Sequence, residues 1–480
     1  MLFNSFAFLI FLPVVFILHW LFTAKAKNNW QNVILLIASY YFYGSWNYKF
    51  LFLLLFSTAL DYFLAIFISD AKSPKQKKIY LITSVAINLG FLAVFKYYNF
   101  FVGSVQNLFS NFGLHPDIVL LNVVLPVGIS FYTFHGLSYI IDVYNKKIQP
   151  EKDFVIYSLF VSFFPLLVAG PIERATHLLP QLKQKREFEY DILVDGLRQI
   201  LWGFFKKMVI ADNCAFYVNQ VFNESTHFNG SSHLLAIFLF SFQIYADFSG
   251  YSDIAIGTAK LFGIELIRNF NYPYFSRNVG EFWRKWHISL TSWFRDYVYI
   301  PIGGSKSKKI IVIRNTIVIF ILSGLWHGAN WTFVFWGLLN SIYYFPLIYL
   351  NSTRKYLEPI GANKVLPSFK QFCQILVTFS LISISWIFFR AENLNKAFEF
   401  INKLFSISLV SKPLHAPYTL LFNICILICI EWFGRLYEYP IKNIGRINNN
   451  IIRWILYIIL TYYILIFMAT SNNQFIYFQF

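Results

Sequence analysis

The sequence predicts an all-α polytopic membrane protein, and two observations support this fold class. Of its 480 residues, 57% are hydrophobic and only 13% are charged, with a mean hydropathy of +0.53. Apolar runs long enough to cross about 30 Å of hydrocarbon recur along the whole chain, since a helix needs roughly 20 residues for one crossing. Soluble globular proteins do not combine these features.

The predicted membrane helices follow one another at short intervals. The long apolar runs lie at 3–22, 50–69, 79–95, 117–144, 154–170, 196–218, 233–256, 311–326, 329–350, 370–390, 415–434 and 451–470. A shorter run, 30–43, is expected to dip into the membrane or cross it at a tilt, which gives about eleven to thirteen helices. No hydrophilic stretch is long enough to fold alone, so a single membrane domain is expected over residues 1–480.

The excess of basic residues indicates topology. Lys and Arg total 40 against 23 Asp and Glu, a net charge of +17, and they cluster in short connectors, at 25–27, 72–78, 146–147 and 306–314. The positive-inside rule places these connectors in the cytoplasm, so the first helix starts outside. No basic residue precedes that helix, which argues against a cleaved signal peptide. The excess of positive charge is therefore explained by membrane topology and does not indicate binding of nucleic acid.

The four cysteines are not arranged as a metal site or a disulfide framework. They lie within or beside apolar runs at Cys214, Cys373, Cys425 and Cys429. No His or Cys pair at helical spacing has a carboxylate nearby. The sequence thus predicts buried, small apolar cysteines and no metal.

The segment 281–304 is too charged to span the membrane and is predicted to form one amphipathic helix at the interface or dipping inward. At 100° per residue its apolar side chains share an arc of roughly 100°. They are Trp283, Trp286, Leu290, Trp293, Phe294 and Tyr297. Pro301 and the glycine pair at 303–304 then end the helix.

His327 is the first candidate for chemistry. It lies in SGLWHGANW, 18 residues after Lys309, so that in a helix it stands roughly 27 Å from that residue, deep in the bilayer or beyond its centre. A neutral imidazole there could take the proton from a sugar hydroxyl as the hydroxyl attacks a thioester carbonyl. The alternative is a structural histidine that is hydrogen-bonded inside the bundle.

His287 is the second candidate, on the amphipathic segment beside Arg284, Arg295 and Asp296. It could polarise an acyl carbonyl, orient the acceptor, or hold a phosphate-bearing donor together with the arginines. Anchoring at the membrane interface is the alternative.

Two acids, Asp247 and Asp253, lie in a membrane-like run on either side of Ser249 and Gly250. A continuous helix would point the two acids in different directions, whereas an interruption at these two residues could bring them nearer each other, as in ion-coupled transporters. This run supports the alternative function, that of a polysaccharide-precursor or ion-coupled transporter.

Several long motifs in order resemble the membrane-bound O-acyltransferase family, in its bacterial alginate O-acetyltransferase membrane-subunit branch. They are LPVGISFYTFHGLSYIIDVY at 125–144, FFPLLVAGPIER at 163–174, QIYADFSGYSDIAIGTAKLFGIEL at 243–266, the stretch 269–304, GLWHGANWTFVFWGLLN at 324–340 and the terminal FIYFQF. The resemblance implies many helices around a thinned centre that is crossed by a tunnel. It assigns the family's catalytic histidine to His327 and a second family position to His287. His135 departs from the pattern, where many relatives are expected to carry glutamine.

The same resemblance implies a reaction. Acetyl-coenzyme A would enter from the cytoplasm, and its acetyl group would cross the membrane for O-acetylation of an exported or cell-wall polysaccharide such as alginate. A periplasmic or extracellular acetyltransferase is the expected partner, and the bacterial cytoplasmic (inner) membrane is the expected location. Arg284, Lys285 and Arg295 are the candidates for holding the coenzyme phosphates. The sequence does not identify the polymer.

Overall fold

The computed structural model describes residues 1–23, 29–116, 118–361, 364–469 and 475–476. Every regular element in these ranges is helical, which confirms the predicted fold class. The Cα positions divide into two compact units, one of residues 1–193 and 258–267, the other of residues 194–257 and 268–480.

The first unit contains the N-terminal helices. They are α1 (Phe6–Thr23), α2 (Asn29–Gly44), α3 (Tyr48–Asp70), α4 (Pro74–Leu92), α5 (Tyr98–Ser110), α6 (Ile129–Tyr144), α7 (Phe154–Ser162), α8 (Phe164–Leu167) and α9 (Ala175–Lys183). A π-helical turn, Ala93–Tyr97, joins α4 to α5. Asn or Ser caps begin several of the longer helices of the chain, as at Ser73, whose hydroxyl accepts from the N–H of Gln76.

The remaining helices carry the chain to its C-terminal part. They are α10 (Tyr190–Phe204), α11 (Asp212–Asn223), α12 (Gly230–Leu261), α13 (Val279–Lys285), α14 (Ile288–Phe294), α15 (Lys309–His327), α16 (Trp331–Tyr349), α17 (Phe369–Arg390), α18 (Leu394–Leu404), α19 (Tyr418–Gly434) and α20 (Asn450–Phe467). Another π-helical turn, Phe205–Ala211, joins α10 to α11. Such turns shift the register of a helix and are frequent at functional sites.

Within the described ranges, seven continuous helices are long and apolar enough to cross a membrane. They are α3, the joined α4–α5, α12, α15, α16, α17 and α20. Two shorter apolar helices, Phe6–Leu21 and α19, accompany them. This is a multi-pass membrane protein, as the sequence predicts.

Proline and glycine divide two of the predicted runs. In the run 117–144, the described residues before Ile129 lack regular structure, and Gly128 turns the chain with a φ of 75°. In the run 154–170, α7 ends where Phe163 adopts a ψ of 116°, and α8 restarts with Pro165 in its first turn. Proline is well tolerated in the first turn of a helix, because the N–H that it lacks would have no intrahelical partner there.

The prediction of buried cysteines is right for Cys214 and wrong for the other three. Cys373, Cys425 and Cys429 are exposed, and all four thiols are free. The three exposed cysteines lie on α17 and α19, whose outer faces are apolar, and hydrocarbon outside the bundle accepts a small apolar side chain as readily as its interior does.

Candidate active site

His327 is the last residue of α15, at the base of a tight helical hairpin. Asn330 caps the next helix, with its side chain accepting from the N–H of Thr332. The two helices approach closely at Gly324, where an added methyl group would lie 2.9 Å from the carbonyl carbon of Phe333. This approach seats the imidazole against α16, with its ring centroid 5.3 Å from that of Trp336.

His287 lies between two short helices rather than along one. The predicted continuous amphipathic helix is wrong, since α13 ends at Lys285 and α14 begins at Ile288, with His287 left-handed at φ 44° and ψ 55°. Asn269 stabilises this break, because its carbonyl accepts from the N–H of Ile288 at 2.9 Å and its side chain accepts from the hydroxyl of Ser289 at 2.7 Å. A left-handed non-glycine residue costs of order 1–3 kcal/mol, and such residues cluster at functional sites.

The two predicted histidines meet in the second unit. Their ring centroids are 6.4 Å apart, and they are 2% and 5% exposed for His287 and His327. The two residues are 40 positions apart in sequence and are linked by α14, the connector and α15, so the pair is a tertiary contact. Two imidazoles at this separation can act on one small reacting group placed between them.

Aromatic rings enclose the pair. Phe248 meets the edge of His287 at 4.5 Å, and Phe389 lies 5.0 Å from His327. Trp326 lies 5.6 Å from His287. An aromatic enclosure excludes water and strengthens any hydrogen bond formed inside it.

Burial keeps His287 neutral. It lowers the pKa of His287 to about 3. Neither ring nitrogen has a hydrogen-bond partner among the residues that the structure describes. Leaving a buried polar group unpaired costs about 1–3 kcal/mol, and an unpaired group in a folded protein calls for an explanation such as a catalytic role. A neutral imidazole can donate one hydrogen bond and accept another.

The three basic residues predicted to hold phosphates have different surroundings. Arg284 donates to the carbonyl of Tyr356 at 2.8 Å, and Lys285 pairs with Glu281 at 2.8 Å. Arg295 pairs with Asp296 at 2.7 Å and keeps 58% of its side chain exposed. Their role in holding a coenzyme stays a prediction, and Arg295 is the most accessible of the three.

Comparison with known proteins decides the family. The model of the membrane-bound O-acyltransferase family matches residues 39–356, which is more than half of the chain. The chain belongs to this family. It is therefore an acyltransferase.

Three relatives illustrate the range of acceptors in proteins similar to this acyltransferase. The peptidoglycan O-acetyltransferase of Helicobacter pylori is 34% identical, with 100% of this chain and 98% of that protein aligned. The probable alginate O-acetylase of Pseudomonas aeruginosa is 38% identical over 85% of this chain and 75% of that protein. The teichoic acid D-alanyltransferase of Bacillus subtilis is 29% identical over 56% of this chain and 70% of that protein.

Two lysines that the sequence motifs did not indicate form ion pairs in this acyltransferase. Lys206 pairs with Asp253 at 2.6 Å, and Lys207 pairs with both Asp212 and Asp247 at 2.8 Å. Both lysines lie in the π-helical turn Phe205–Ala211. They could have been found from the sequence, because charged residues within a predicted apolar run such as 196–218 are costly and indicate a functional or paired role.

The interruption at Ser249 and Gly250, on which the transport alternative depended, does not occur. Helix α12 runs unbroken from Gly230 to Leu261. A methyl group on Gly250 would lie 2.9 Å from the carbonyl oxygen of Gly203. This glycine therefore allows a close helix contact, and that contact brings the two lysines within reach of the acids.

One of these acids, Asp247, connects the last described segment of the chain to the site. The side chain of Asp247 accepts from the N–H of Ile476 at 2.8 Å. Phe475 packs 4.9 Å from Tyr251 and 6.1 Å from Phe248, the ring that borders His287. The described residues 475–476 thus support one wall of the histidine pair.

Proposed function

We propose that this protein transfers an acetyl group from acetyl-coenzyme A at the cytoplasmic side to an acceptor on the opposite side of the membrane, for O-acetylation of an exported or cell-wall polysaccharide. The observation that carries the proposal is the pair of buried imidazoles, 6.4 Å apart, inside an aromatic enclosure. Acyl transfer from a thioester needs a base for the attacking hydroxyl and a donor for the developing oxyanion. The pair supplies both.

His327 is proposed as the general base. It takes the proton from the acceptor hydroxyl while the oxygen forms its bond to the thioester carbonyl carbon. When the tetrahedral intermediate collapses, the carbon–sulfur bond breaks, and His327 returns the proton to the leaving thiolate. An acyl-histidine intermediate is a second route by which the same residue can serve.

His287 is proposed as the group that polarises the carbonyl. A pKa of about 3 makes it a weak base at neutral pH, which suits a neutral imidazole that donates a hydrogen bond to the oxyanion. Donors of this kind contribute about 10²–10³ in rate. The ring nitrogens of His287 have no partner in the part of the chain that the structure describes, which is consistent with a partner that is present only during the reaction.

The acceptor and the location are proposed from the relatives. Two of them are named for O-acetylation of peptidoglycan and of alginate, so a polysaccharide acceptor fits this chain. All three are bacterial, which supports the bacterial cytoplasmic membrane. We propose further that a periplasmic or extracellular acetyltransferase receives the acetyl group, and that Arg295, with Arg284 and Lys285, contacts the coenzyme phosphates.

The transport alternative has lost its structural basis. It needs a broken helix with accessible acids, whereas α12 is continuous and Asp247 and Asp253 both pair with lysines. Transport also predicts movement of a substrate without consumption of a thioester. Measuring thioester cleavage therefore separates the two functions.

The test is release of free thiol from acetyl-coenzyme A by the purified protein in lipid. His327→Ala is expected to lower acceptor-dependent release by about 10²–10⁴-fold, because that is the usual contribution of a general base. His233→Ala is the matched control, since His233 is also buried and lies 4.4 Å from an aromatic ring, that of Phe400. It is expected to keep nearly full activity.

Two results would contradict the proposal. Equal activity of His327→Ala and wild type would remove His327 from the chemistry. If the wild type released no thiol when polysaccharides and candidate partner proteins are supplied, the result would favour the alternative function of a transporter.

A further inference from the structure

The first unit contains a cavity of about 350 Å³. It lies where the end of α1, the connector after α9 and residues 260–263 come together. Its lining includes Trp20, Lys185, Arg186, Phe188, Lys260 and Gly263. The proposed acyl-transfer chemistry uses none of these residues.

Arg186 is the unusual member of this lining. The residue is only 6% exposed, and one terminal nitrogen, Nη2, donates to the side chain of Asn32 at 2.9 Å. Nε and Nη1 have no hydrogen-bond partner among the described residues. Both nitrogens are buried, so two donor groups of the guanidinium are left unpaired in a residue that lines the cavity.

The backbone around Arg186 is firmly held. Its N–H donates to the side-chain oxygen of Gln31 at 3.0 Å, and its carbonyl accepts from the side-chain nitrogen of Gln31 at 2.9 Å. Gly263, with a φ of +69°, leaves room for the aliphatic stem, since an added methyl group would lie 3.3 Å from the Cβ of Arg186. The guanidinium is thus pre-positioned.

A buried cation without a counter-ion is costly, and proteins normally pair it. Burial lowers the pKa of Arg186 to about 10, so it stays charged at neutral pH. The described residues provide no ion pair for it, and the two carboxylates that line the cavity, Glu187 and Glu189, are exposed to solvent. Lys185 and Lys260 add positive charge to the same lining.

The chemistry that fits is a phosphate group. The planar guanidinium binds two phosphate oxygens at once, and lysines at the rim add charge without geometric demands. A cavity of 350 Å³ is within the range of small-molecule sites.

The predicted topology indicates on which side of the membrane the cavity lies. Trp20 precedes Lys25 by five residues, and the positive-inside rule places that basic connector in the cytoplasm. Two sources of phosphate occur there, a soluble phosphorylated compound such as coenzyme A and the headgroup of an anionic lipid in the cytoplasmic leaflet.

We propose that this cavity is a cytoplasmic phosphate-binding site in which Arg186 is the central ligand and Lys185 and Lys260 assist. If the phosphate belongs to coenzyme A, the inference rests on the proposed function and adds a donor-binding region to it. If it belongs to a lipid, the site stands independently of that function.

The experiment measures the thermal unfolding midpoint of the full chain in nanodiscs. In discs of phosphatidylcholine, coenzyme A is the probe; in discs that contain phosphatidylglycerol, no coenzyme is added. Arg186→Gln is compared with Lys75→Gln, which removes one positive charge from an exposed position of the same unit. We expect one of the two phosphate sources to raise the midpoint of the wild type and of Lys75→Gln, and its affinity to fall about tenfold or more in Arg186→Gln.

A response to coenzyme A alone identifies the soluble source, and a response to phosphatidylglycerol alone identifies the lipid. An equal response in Arg186→Gln and wild type, or no response to either source, overturns the proposal. Without ligand, Arg186→Gln should unfold no earlier than wild type, because it removes an uncompensated charge; a purely structural arginine would give a lower midpoint and no change in ligand response.

Two further variants keep the test decisive. If Arg186→Gln fails to reach the membrane, Lys185→Glu inverts a charge at the exposed rim and should weaken the same response, and an unchanged response would overturn the proposal. His327→Ala should keep the response to phosphate while it loses thiol release. Failure of the acyl-transfer mechanism is thereby distinguished from failure of the phosphate site.

Discussion

Gly324 lies one helical turn before His327 on α15, where the hairpin helices are in closest contact. A methyl group at this position would overlap the carbonyl oxygen of Phe333 and lie 2.9 Å from its carbonyl carbon. Ordinary carbon–carbon contacts are about 3.5–4.0 Å, so Gly324→Ala must separate the helices by about 0.6 Å or more. The ring of Phe333 packs 5.0 Å from Phe389, which itself borders His327, so the displacement reaches the imidazole.

A misplacement of about 1 Å can lower a rate by about 10²-fold. We therefore expect Gly324→Ala to reduce thiol release from acetyl-coenzyme A by about 10- to 100-fold while the protein still inserts and purifies normally. Gly90→Ala on α4 is the matched control, because nothing lies within 4 Å of the added methyl group. Activity of Gly324→Ala within about twofold of the Gly90→Ala value would refute the view that this helix contact positions His327.

Two predictions concern stability. Folded protein keeps His287 neutral to about pH 3, whereas the unfolded chain binds a proton below its ordinary pKa of 6.5, so stability falls as pH drops below 6.5. Between pH 8 and pH 5, the free energy of unfolding of His287→Gln, measured by denaturant titration, should fall by about 2 kcal/mol less than that of the wild type. Equal decreases in the two proteins would contradict this. Asp247→Ala leaves buried Lys207 with Asp212 alone and removes the acceptor for Ile476, which should cost about 3 kcal/mol. Asp247→Asn keeps the acceptor and should cost less, and equal unfolding midpoints for the two variants would count against that assignment.

Local patterns were sufficient to predict the helices and the first candidate residue. Long apolar runs can only be helices in hydrocarbon, since each backbone N–H and C=O must be satisfied within its own segment. The depth of His327 follows from its distance along α15 after Lys309. The family motifs pointed to His287 as well, but could not provide its surroundings.

The sequence patterns indicated the wrong helix boundaries where contacts with a distant segment determine the local structure. Periodicity favours one helix through His287, yet Asn269 supplies hydrogen bonds that stabilise a break there. Ser249 and Gly250 are typical of an interrupted helix, yet Gly203 packs against Gly250 and α12 continues. Both outcomes depend on residues far enough away in sequence that no local window contains them.

The sequence by itself determined the all-α membrane architecture, the placement of basic connectors and the residues capable of chemistry, because hydrophobic length and charge act within each segment. Tertiary structure alone decided that His287 and His327 lie 6.4 Å apart and that Lys206 and Lys207 neutralise the acids of α12. It also decided that Arg186 lines a cavity and has no ion pair among the residues that the structure describes. The physical reason is that distances between segments, and the burial they create, depend on packing between helices, on which a periodic pattern carries little information.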